Sequence, residues 1–315
     1  MRKIIIDTDT GSDDAVAMIM ALKDESVKVE AITTVCGNVP LEQATKNALA
    51  TVEIVGKDVP VYVGAPKPLM RELVTAQDVH GQDGMGDCNL INPKRKPGKE
   101  DAVDKILELV GNNPNEMEII AIGPATNIAS AILREPDTMK KVKHIYSMGT
   151  AGFGFGNITP VAEFNVYADA EAYKIMIEFD VPVTIIGFDL CLGDAALKKE
   201  EINMLLNSGK KEAIFAMECN KRLLQFNVER TGDEIIDLPD PVAMAVMLWE
   251  DIVLEASECY CYTCIKEEAT YGQVIIQDWE FTNWPGFDDN KPNSTVVKKI
   301  DHNKFKEKLV KLLLK

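Results

Sequence analysis

The stretch IIIDTDTGSDDA, residues 4–15, joins an apolar run to a group of acidic residues. Four aspartates lie within eight positions: Asp7, Asp9, Asp13 and Asp14. Gly11 permits a tight turn and Ser12 can cap a helix, so the stretch predicts a strand, a turn and the start of a helix. One carboxylate complements a helix dipole, but four like charges a few Å apart destabilise a fold unless a cation neutralises them. A hard divalent cation bound through oxygen atoms is the expected partner.

Apolar runs and amphipathic segments alternate along the rest of the chain. The predicted strands are KIIIDTD (3–9), VKVEAITTVC (27–36), VPVYVGA (59–65), MEIIAIG (117–123), HIYSMG (144–149) and VPVTIIGFDLCL (181–192). The predicted helices include SDDAVAMIMALKDE (12–25), PLEQATKNALATVEIVG (40–56), NIASAILREP (127–136) and DHNKFKEKLVKLLLK (301–315). Strands that are apolar throughout and separated by helices are typical of a parallel sheet covered on both faces. We therefore expect one α/β domain, residues 1–315, with an open, mostly parallel sheet and a Rossmann-like core.

Polar and glycine-rich segments follow several of these strands. They include CGN (36–38), IGPATN (122–127) and, a little further on from HIYSMG, AEFN (162–165). Ligands of open α/β sheets bind at the carboxyl ends of the strands, so these segments are expected to meet at one site. Residues 67–100 form a long loop region, and a loop of that length is usually a lid or a binding loop.

Composition narrows the class of protein. The net charge is −16, which argues against nucleic acid or an anionic membrane as a partner. The apolar run before Asp7 is too short for a signal peptide, and there is no run of about 18 apolar residues. Seven scattered cysteines fit a reducing compartment, so a cytoplasmic location is expected. The alternation in CYCYTC (259–264) favours a strand over a zinc site.

The segment DTDT (7–10) also matches the aspartyl-phosphate motif of haloacid-dehalogenase phosphatases. In such an enzyme Asp7 would be the nucleophile and Asp9 the acid or base. That fold also needs a late acidic pair for magnesium. Gly193 and Asp194 are followed by no second acid three or four positions on, so the phosphatase is disfavoured and Asp7 is expected to be structural.

Six motifs together resemble the inosine–uridine-preferring nucleoside hydrolase family. They are DTDTGSDDA (7–15), TTVCGN (33–38), HGQDGMG (80–86), GPATNIA (123–129), AEFN (162–165) and DPVAMA (240–245), in the family's order. The segment VVKKIDHNKF (296–305) also resembles the family's final strand and helix, so the resemblance covers nearly the whole chain.

The resemblance implies a calcium ion (Ca2+) in a deep pocket and cleavage of ribonucleosides to free base and ribose. Matched to the motifs, the carboxylates of Asp9, Asp14 and Asp240 and the backbone carbonyl of Ile122 would hold the calcium. Asp9 would also be the catalytic base.

Further matches imply how the ribose would be held. Asp13 and Asn165 would contact the ribose diol, Asn157 and Glu163 the 5′-hydroxyl, and Asn38 would orient Asp9. A ring of carboxylates would stabilise the oxocarbenium-like transition state of glycosidic cleavage.

One position departs from the family's best-studied branch, in which a histidine that protonates the leaving base precedes the last metal-binding aspartate. Here Pro239 precedes Asp240. His80 lies in the loop region and is one candidate to replace that histidine. The other candidates for the base pocket lie in LLQFNVERTGDE (223–234): Phe226 could stack on a base, Glu229 could accept from the N–H edge of a guanine-like base, and Arg230 could pair with Glu229 or face the base. A purine or modified purine is slightly favoured.

Other functions stay open at this stage. The chain could hydrolyse another ribosyl compound whose leaving group needs less protonation, or it could be a catalytically inactive calcium-dependent ribose-binding protein. The retained Asp9 argues against the second alternative, because a pure binder has little use for a general base. By analogy with the family, a homodimer or homotetramer is expected.

Overall fold

The computed structural model describes residues 1–278 and 290–315, and all statements below concern those residues. The strands are β1 (Arg2–Thr8), β2 (Val27–Thr34), β3 (Val61–Val63), β4 (Met117–Ala121), β5 (His144–Met148), β6 (Val183–Ile186), β7 (Leu197–Lys198), β8 (Ile235–Ile236), β9 (Val253–Thr263), β10 (Val274–Asp278) and β11 (Ser294–Ile300). The helices are α1 (Ser12–Lys23), α2 (Leu41–Val55), α3 (Gln77–His80), α4 (Ala102–Asn112), α5 (Thr126–Arg134), α6 (Pro136–Met139), α7 (Phe164–Ala168), α8 (Ala170–Glu178), α9 (Lys199–Leu206), α10 (Lys211–Cys219), α11 (Lys221–Thr231), α12 (Pro239–Leu248) and α13 (His302–Leu314).

Nine of the described strands form one sheet, in the order β10-β9-β11-β6-β5-β4-β1-β2-β3. From β11 to β3 every neighbouring pair is parallel, and only β9 runs antiparallel to its neighbours β10 and β11. Strands β7 and β8 form a separate antiparallel pair. The prediction of an open, mostly parallel α/β sheet is confirmed.

The central strand β1 shows why its sequence is apolar throughout. Ile4 and Ile6 belong to a core shared with helices α1, α2, α10, α12 and α13, whereas Ile5 belongs to a core shared with α4, α5 and α8. Successive side chains of a strand point to opposite faces, and here helices cover both faces. All three isoleucines are fully buried, and each contributes about 1.5–3 kcal/mol of burial free energy.

The antiparallel edge of the sheet contains the segment CYCYTC, whose alternation predicted a strand. Cys259 and Cys261 lie in β9, where both are buried in the core beneath α8. Among the described residues, no helix is both long and apolar enough to cross a membrane.

The parallel arrangement determines where the polar segments meet. Strands β1, β2, β4 and β5 are adjacent and point the same way, so the residues that follow them lie at one edge of the sheet. Helices α1 and α12, which pack against each other, begin at that edge.

Candidate active site

Three carboxylates meet where helices α1 and α12 begin. Asp13 and Asp14 lie in the first turn of α1, and Asp240 lies in the first turn of α12. One oxygen of each lies within 4.8 Å of the others, and all three residues are buried. Pro239 occupies the first position of α12, where a proline has the right φ and lacks only an N–H that would be unpaired anyway. The proline therefore helps to place Asp240.

The electrostatics of this cluster call for a cation. Burial, reinforced by the neighbouring carboxylates, raises the pKa of Asp14 to about 7. Burial and the same repulsion also raise the pKa values of Asp9 and Asp240 well above the ordinary range. Asp13 Oδ1 is buried and has no hydrogen-bond partner in the described parts of the chain. A hard divalent ion with oxygen ligands fits this donor set, because its charge would keep all the carboxylates ionised.

Asn38 links Asp9 to the cluster. Its backbone N–H donates to Asp9 Oδ2 at 2.6 Å, and its side-chain amide donates to Asp9 Oδ1 at 3.3 Å and to Asp14 Oδ2 at 3.0 Å. Asp14 also accepts from the backbone N–H of Gly11 at 2.8 Å. The compact group of three contains Asp13 instead of the expected Asp9, whose carboxylate is turned towards Asn38.

Asp7 is held away from this cluster. Its Oδ1 accepts from the Thr33 hydroxyl and from the Asn127 side-chain amide, the latter at 2.8 Å. Burial raises the pKa of Asp7 to about 6 without any contribution from another carboxylate, whereas the charges of Asp14 and Asp13 also raise the pKa of Asp9. This geometry suits a structural carboxylate and not the nucleophile of a phosphatase.

A cavity of about 210 Å³ opens above the cluster, with Asp13, Asp240 and Asn38 on its wall. Three further predicted residues, Asn157, Glu163 and Asn165, line one end of it. They surround the start of α7, where Glu163 caps the helix by accepting from Asn165 N–H at 2.8 Å.

The other two residues of this end are also fixed by the backbone. Asn157 Oδ1 accepts from Phe164 N–H at 2.8 Å, and Asn165 Nδ2 donates to the Ile122 carbonyl at 3.2 Å. Burial raises the pKa of Glu163 to about 7. The residues expected to contact ribose are thus preorganised at one end of the cavity.

Helices α3 and α11, which contact each other, form another part of the cavity wall. His80 lies there, with Nδ1 2.8 Å from Ser12 Oγ and 3.8 Å from Asp13 Oδ1, and burial lowers its pKa. Phe226 and Arg230 also line this part of the wall. Glu229 does not: it is exposed and pairs with Arg222 at 3.3 Å and with Gln225 at 2.8 Å. The expectation that Glu229 lies at the base pocket therefore needs correction.

The whole-chain comparison agrees with this site. A family model described as inosine-uridine preferring nucleoside hydrolase matches residues 4–307. The chain belongs to this family. As a nucleoside hydrolase it is an N-glycosyl hydrolase, and its acidic cluster fits the metal dependence of the family.

Individual relatives differ in the base that their names specify. Uridine nucleosidase 1 of Arabidopsis thaliana is 36% identical over 253 residues, which is 80% of this chain and 75% of that protein. A solved structure titled plant nucleoside hydrolase PpNRh1 superposes with a TM-score of 0.92 and 30% identity, covering 99% of each chain. A purine-preferring ribonucleoside hydrolase from Gardnerella vaginalis superposes with a TM-score of 0.90 and 27% identity, covering 99% of this chain and 98% of that one.

Several residues that line the cavity of this nucleoside hydrolase are not among those expected from its sequence. Leu223 and Phe188 are apolar and gave no signal of their own. Asp237 lies three positions before Asp240, and its place beside a predicted metal ligand was a signal that could have identified it. Thr75, Ala76, Asp78 and Val79 of the long loop region also line the cavity, as expected of a binding loop.

Proposed function

We propose that this nucleoside hydrolase uses calcium to cleave the N-glycosidic bond of ribonucleosides, releasing a free base and ribose. The observation that carries the proposal is the group of buried oxygen donors from Asp13, Asp14 and Asp240 at the wall of a cavity that can admit a small molecule. Oxygen-only donors in an irregular arrangement suit calcium, which accepts 6–8 oxygen ligands with flexible geometry.

In this proposal Asp14, Asp240 and the Ile122 carbonyl would hold the calcium together with Asp9, which lies outside the compact group of three, while Asp13 of that group would face the substrate. The Ile122 carbonyl already accepts one hydrogen bond from Asn165 and keeps a second lone pair. When bound, calcium supplies positive charge that gathers oxygen ligands and favours deprotonation of a nearby water.

Asp9 is the general base that accepts a proton from the attacking water. The two hydrogen bonds from Asn38 fix its carboxylate, so Asn38 acts as a positioning residue. Cleavage then builds positive charge on the ribose ring, and the surrounding carboxylates stabilise that charge more than the neutral substrate.

The same residues select the sugar. Asp13 Oδ1, which has no hydrogen-bond partner among residues 1–278 and 290–315, is available to the 2′-hydroxyl, and Asn165 to the diol. Asn157 and Glu163 receive the 5′-hydroxyl. A 5′-phosphate would meet the Glu163 carboxylate, so nucleosides are preferred to nucleotides.

The leaving base needs a different partner from the histidine that Pro239 replaces. His80 is the candidate, because its bond to Ser12 through Nδ1 leaves Nε2 for the base. Phe226 offers a face for stacking. We infer a slight preference for a purine or modified purine, although the relatives include both a uridine nucleosidase and a purine-preferring enzyme. A cytoplasmic homodimer or homotetramer remains a prediction.

The experiment is to incubate the protein with calcium and a panel of ribonucleosides and to measure free base by chromatography. General-base catalysis is worth roughly 100- to 10,000-fold, so Asp9→Asn should lose activity by that factor. Asp233→Asn makes the same chemical change on an exposed loop residue and should leave the rate unchanged. Binding of nucleosides without any release of base would refute hydrolysis and leave a ribose-binding protein.

A further inference from the structure

The part of the cavity wall beside α11 contains charged groups that the proposed mechanism does not use, Asp237 and Arg230 among them. Asp237 lies between β8 and α12 and lines the cavity together with Asn227 and Arg230 of α11. Because the proposed ribose contacts lie around the start of α7 and at the carboxylate group, these three residues are a part of the wall left for the base.

Among the described residues, only one of the two carboxylate oxygens of Asp237 accepts a hydrogen bond. Oδ2 accepts from Asn227 Nδ2 at 3.2 Å, and the same amide donates to the Ile235 carbonyl at 3.1 Å, so the carboxylate is held in one orientation. Oδ1 is buried and finds no hydrogen-bond partner in the described residues. An unpaired carboxylate oxygen is unfavourable, so Asp237 keeps acceptor capacity for one further hydrogen-bond donor.

Burial has the largest effect on the pKa of Asp237, and two neighbours partly offset it. Burial raises the pKa of the Asp237 carboxyl, while the Asn227 hydrogen bond and the charge of Arg230 lower it. Arg230 is exposed at the rim of the cavity, and its guanidinium can only donate hydrogen bonds. This part of the cavity therefore has a hydrogen-bond acceptor in its wall, the Asp237 carboxylate, and a donor at its rim, the Arg230 guanidinium.

We propose that Asp237 determines base specificity by accepting a hydrogen bond from a ring N–H that lies next to a carbonyl group. This inference rests on the proposed ribonucleoside hydrolysis. Hypoxanthine, guanine and uracil carry such an N–H. Adenine and cytosine carry a bare ring nitrogen at that position, so an acceptor on the base would face the Asp237 carboxylate.

The role differs from that predicted for Glu229 in the sequence analysis. Glu229 was expected to accept from the N–H edge of a base, but it lies outside the cavity. Asp237 lines the cavity, and its carboxylate keeps an acceptor capacity that Glu229, outside the cavity, does not offer there. Arg230 completes the recognition by donating to the neighbouring carbonyl of the base.

The test compares kcat/KM for inosine and adenosine, which differ only at this edge, in the wild type and in Asp237→Asn. In that variant the amide oxygen can still accept from Asn227, which puts the amide NH2 in the position of Oδ1. The variant therefore offers a donor where the wild type offers an acceptor. The ratio is taken within each protein, so a general loss of activity cancels. Asp233→Asn is the matched control.

The wild type should prefer inosine by roughly 10- to 100-fold, and Asp237→Asn should reduce that preference by at least about 10-fold. Asp237→Ala removes the acceptor without adding a donor, and it should bring the ratio close to one. Equal rates for the two nucleosides in the wild type overturn the inference without any variant. An inosine preference that survives both substitutions overturns it as well, while hydrolysis itself stands. If the wild type releases no base from any ribonucleoside, the proposed function and this inference both fail.

Discussion

Replacement of Gly37 by alanine would test the placement of Asp9 without changing any charged group. Gly37 follows β2, and a Cβ built on it would lie 2.0 Å from Asp9 Oδ2 and 2.8 Å from Asp9 Cγ. An ordinary van der Waals contact is 3.4–4 Å, so the carboxylate must move by more than about 1 Å. Gly37 is not among the described glycines with positive φ, so alanine adds a steric conflict and no backbone strain.

The expected effect is on the chemical step. A misplacement of about 1 Å in a catalytic group costs roughly 100-fold in rate, so kcat of Gly37→Ala should fall by at least that factor. Gly111→Ala is the matched control, because the nearest atom to its added Cβ is Thr138 Cγ2 at 3.8 Å. Gly111 lies in α4, and alanine there should raise the free energy of unfolding by up to about 1 kcal/mol without changing kcat.

The assay is base release from a ribonucleoside under saturating calcium, with kcat and KM determined separately. Circular dichroism and thermal melting establish that Gly37→Ala is folded. A folded Gly37→Ala that keeps the kcat of the wild type would refute the argument, since Asp9 could then not be the closely positioned base.

Three further predictions follow from other parts of the structure. A 2′-deoxyribonucleoside loses the contacts proposed for Asp13 and the metal, so its kcat/KM should be at least about 100-fold lower than that of the ribonucleoside; comparable values would remove Asp13 from the sugar site. Burial lowers the pKa of His144, so the unfolded chain binds its proton more readily, and stability should fall as the pH drops below about 6.5 towards the lower pKa of the folded state. Between pH 7.5 and 5.5, the free energy of unfolding in urea should fall less for His144→Gln than for the wild type. An equal fall in both proteins would show that His144 is not the cause. Phe305 of α13 is fully buried, so Phe305→Ala should cost about 3–5 kcal/mol in urea unfolding, and a cost below about 1 kcal/mol would show that α13 is not part of the core.

The parallel strands and the main helices that cover them could be predicted, because burial on both faces of the sheet determines their apolar pattern. Both faces of β1 are covered, so its side chains are apolar at every position between Ile4 and Ile6. The antiparallel orientation of β9 could not be predicted, because a strand carries the same alternating pattern whichever way it runs. Only the packing of β9 beside β11 determines it.

The base end of the site was harder to predict than the metal end. Asp13 and Asp14 are adjacent on one turn, so their proximity is local, whereas Asp237 and Asn227 meet only through the fold. The helical periodicity of α11 can be read from the sequence, and it shows why Glu229 lies away from the cavity. At about 100° per residue, Phe226 and Arg230 lie on one side of α11, and Glu229 lies well off that side. The carboxylate proposed for the base pocket is therefore Asp237, while Glu229 lies outside the cavity.

The most direct measurement of the central claim is calcium dependence of base release. The protein would be treated with a chelator, dialysed, and assayed on a ribonucleoside while calcium is added back, alongside Asp240→Asn. We predict that release disappears after chelation, returns with calcium in the wild type, and returns only at much higher calcium concentration, or not at all, in Asp240→Asn. Undiminished release from the chelated wild type would contradict the assignment of the carboxylate cluster as a catalytic metal site.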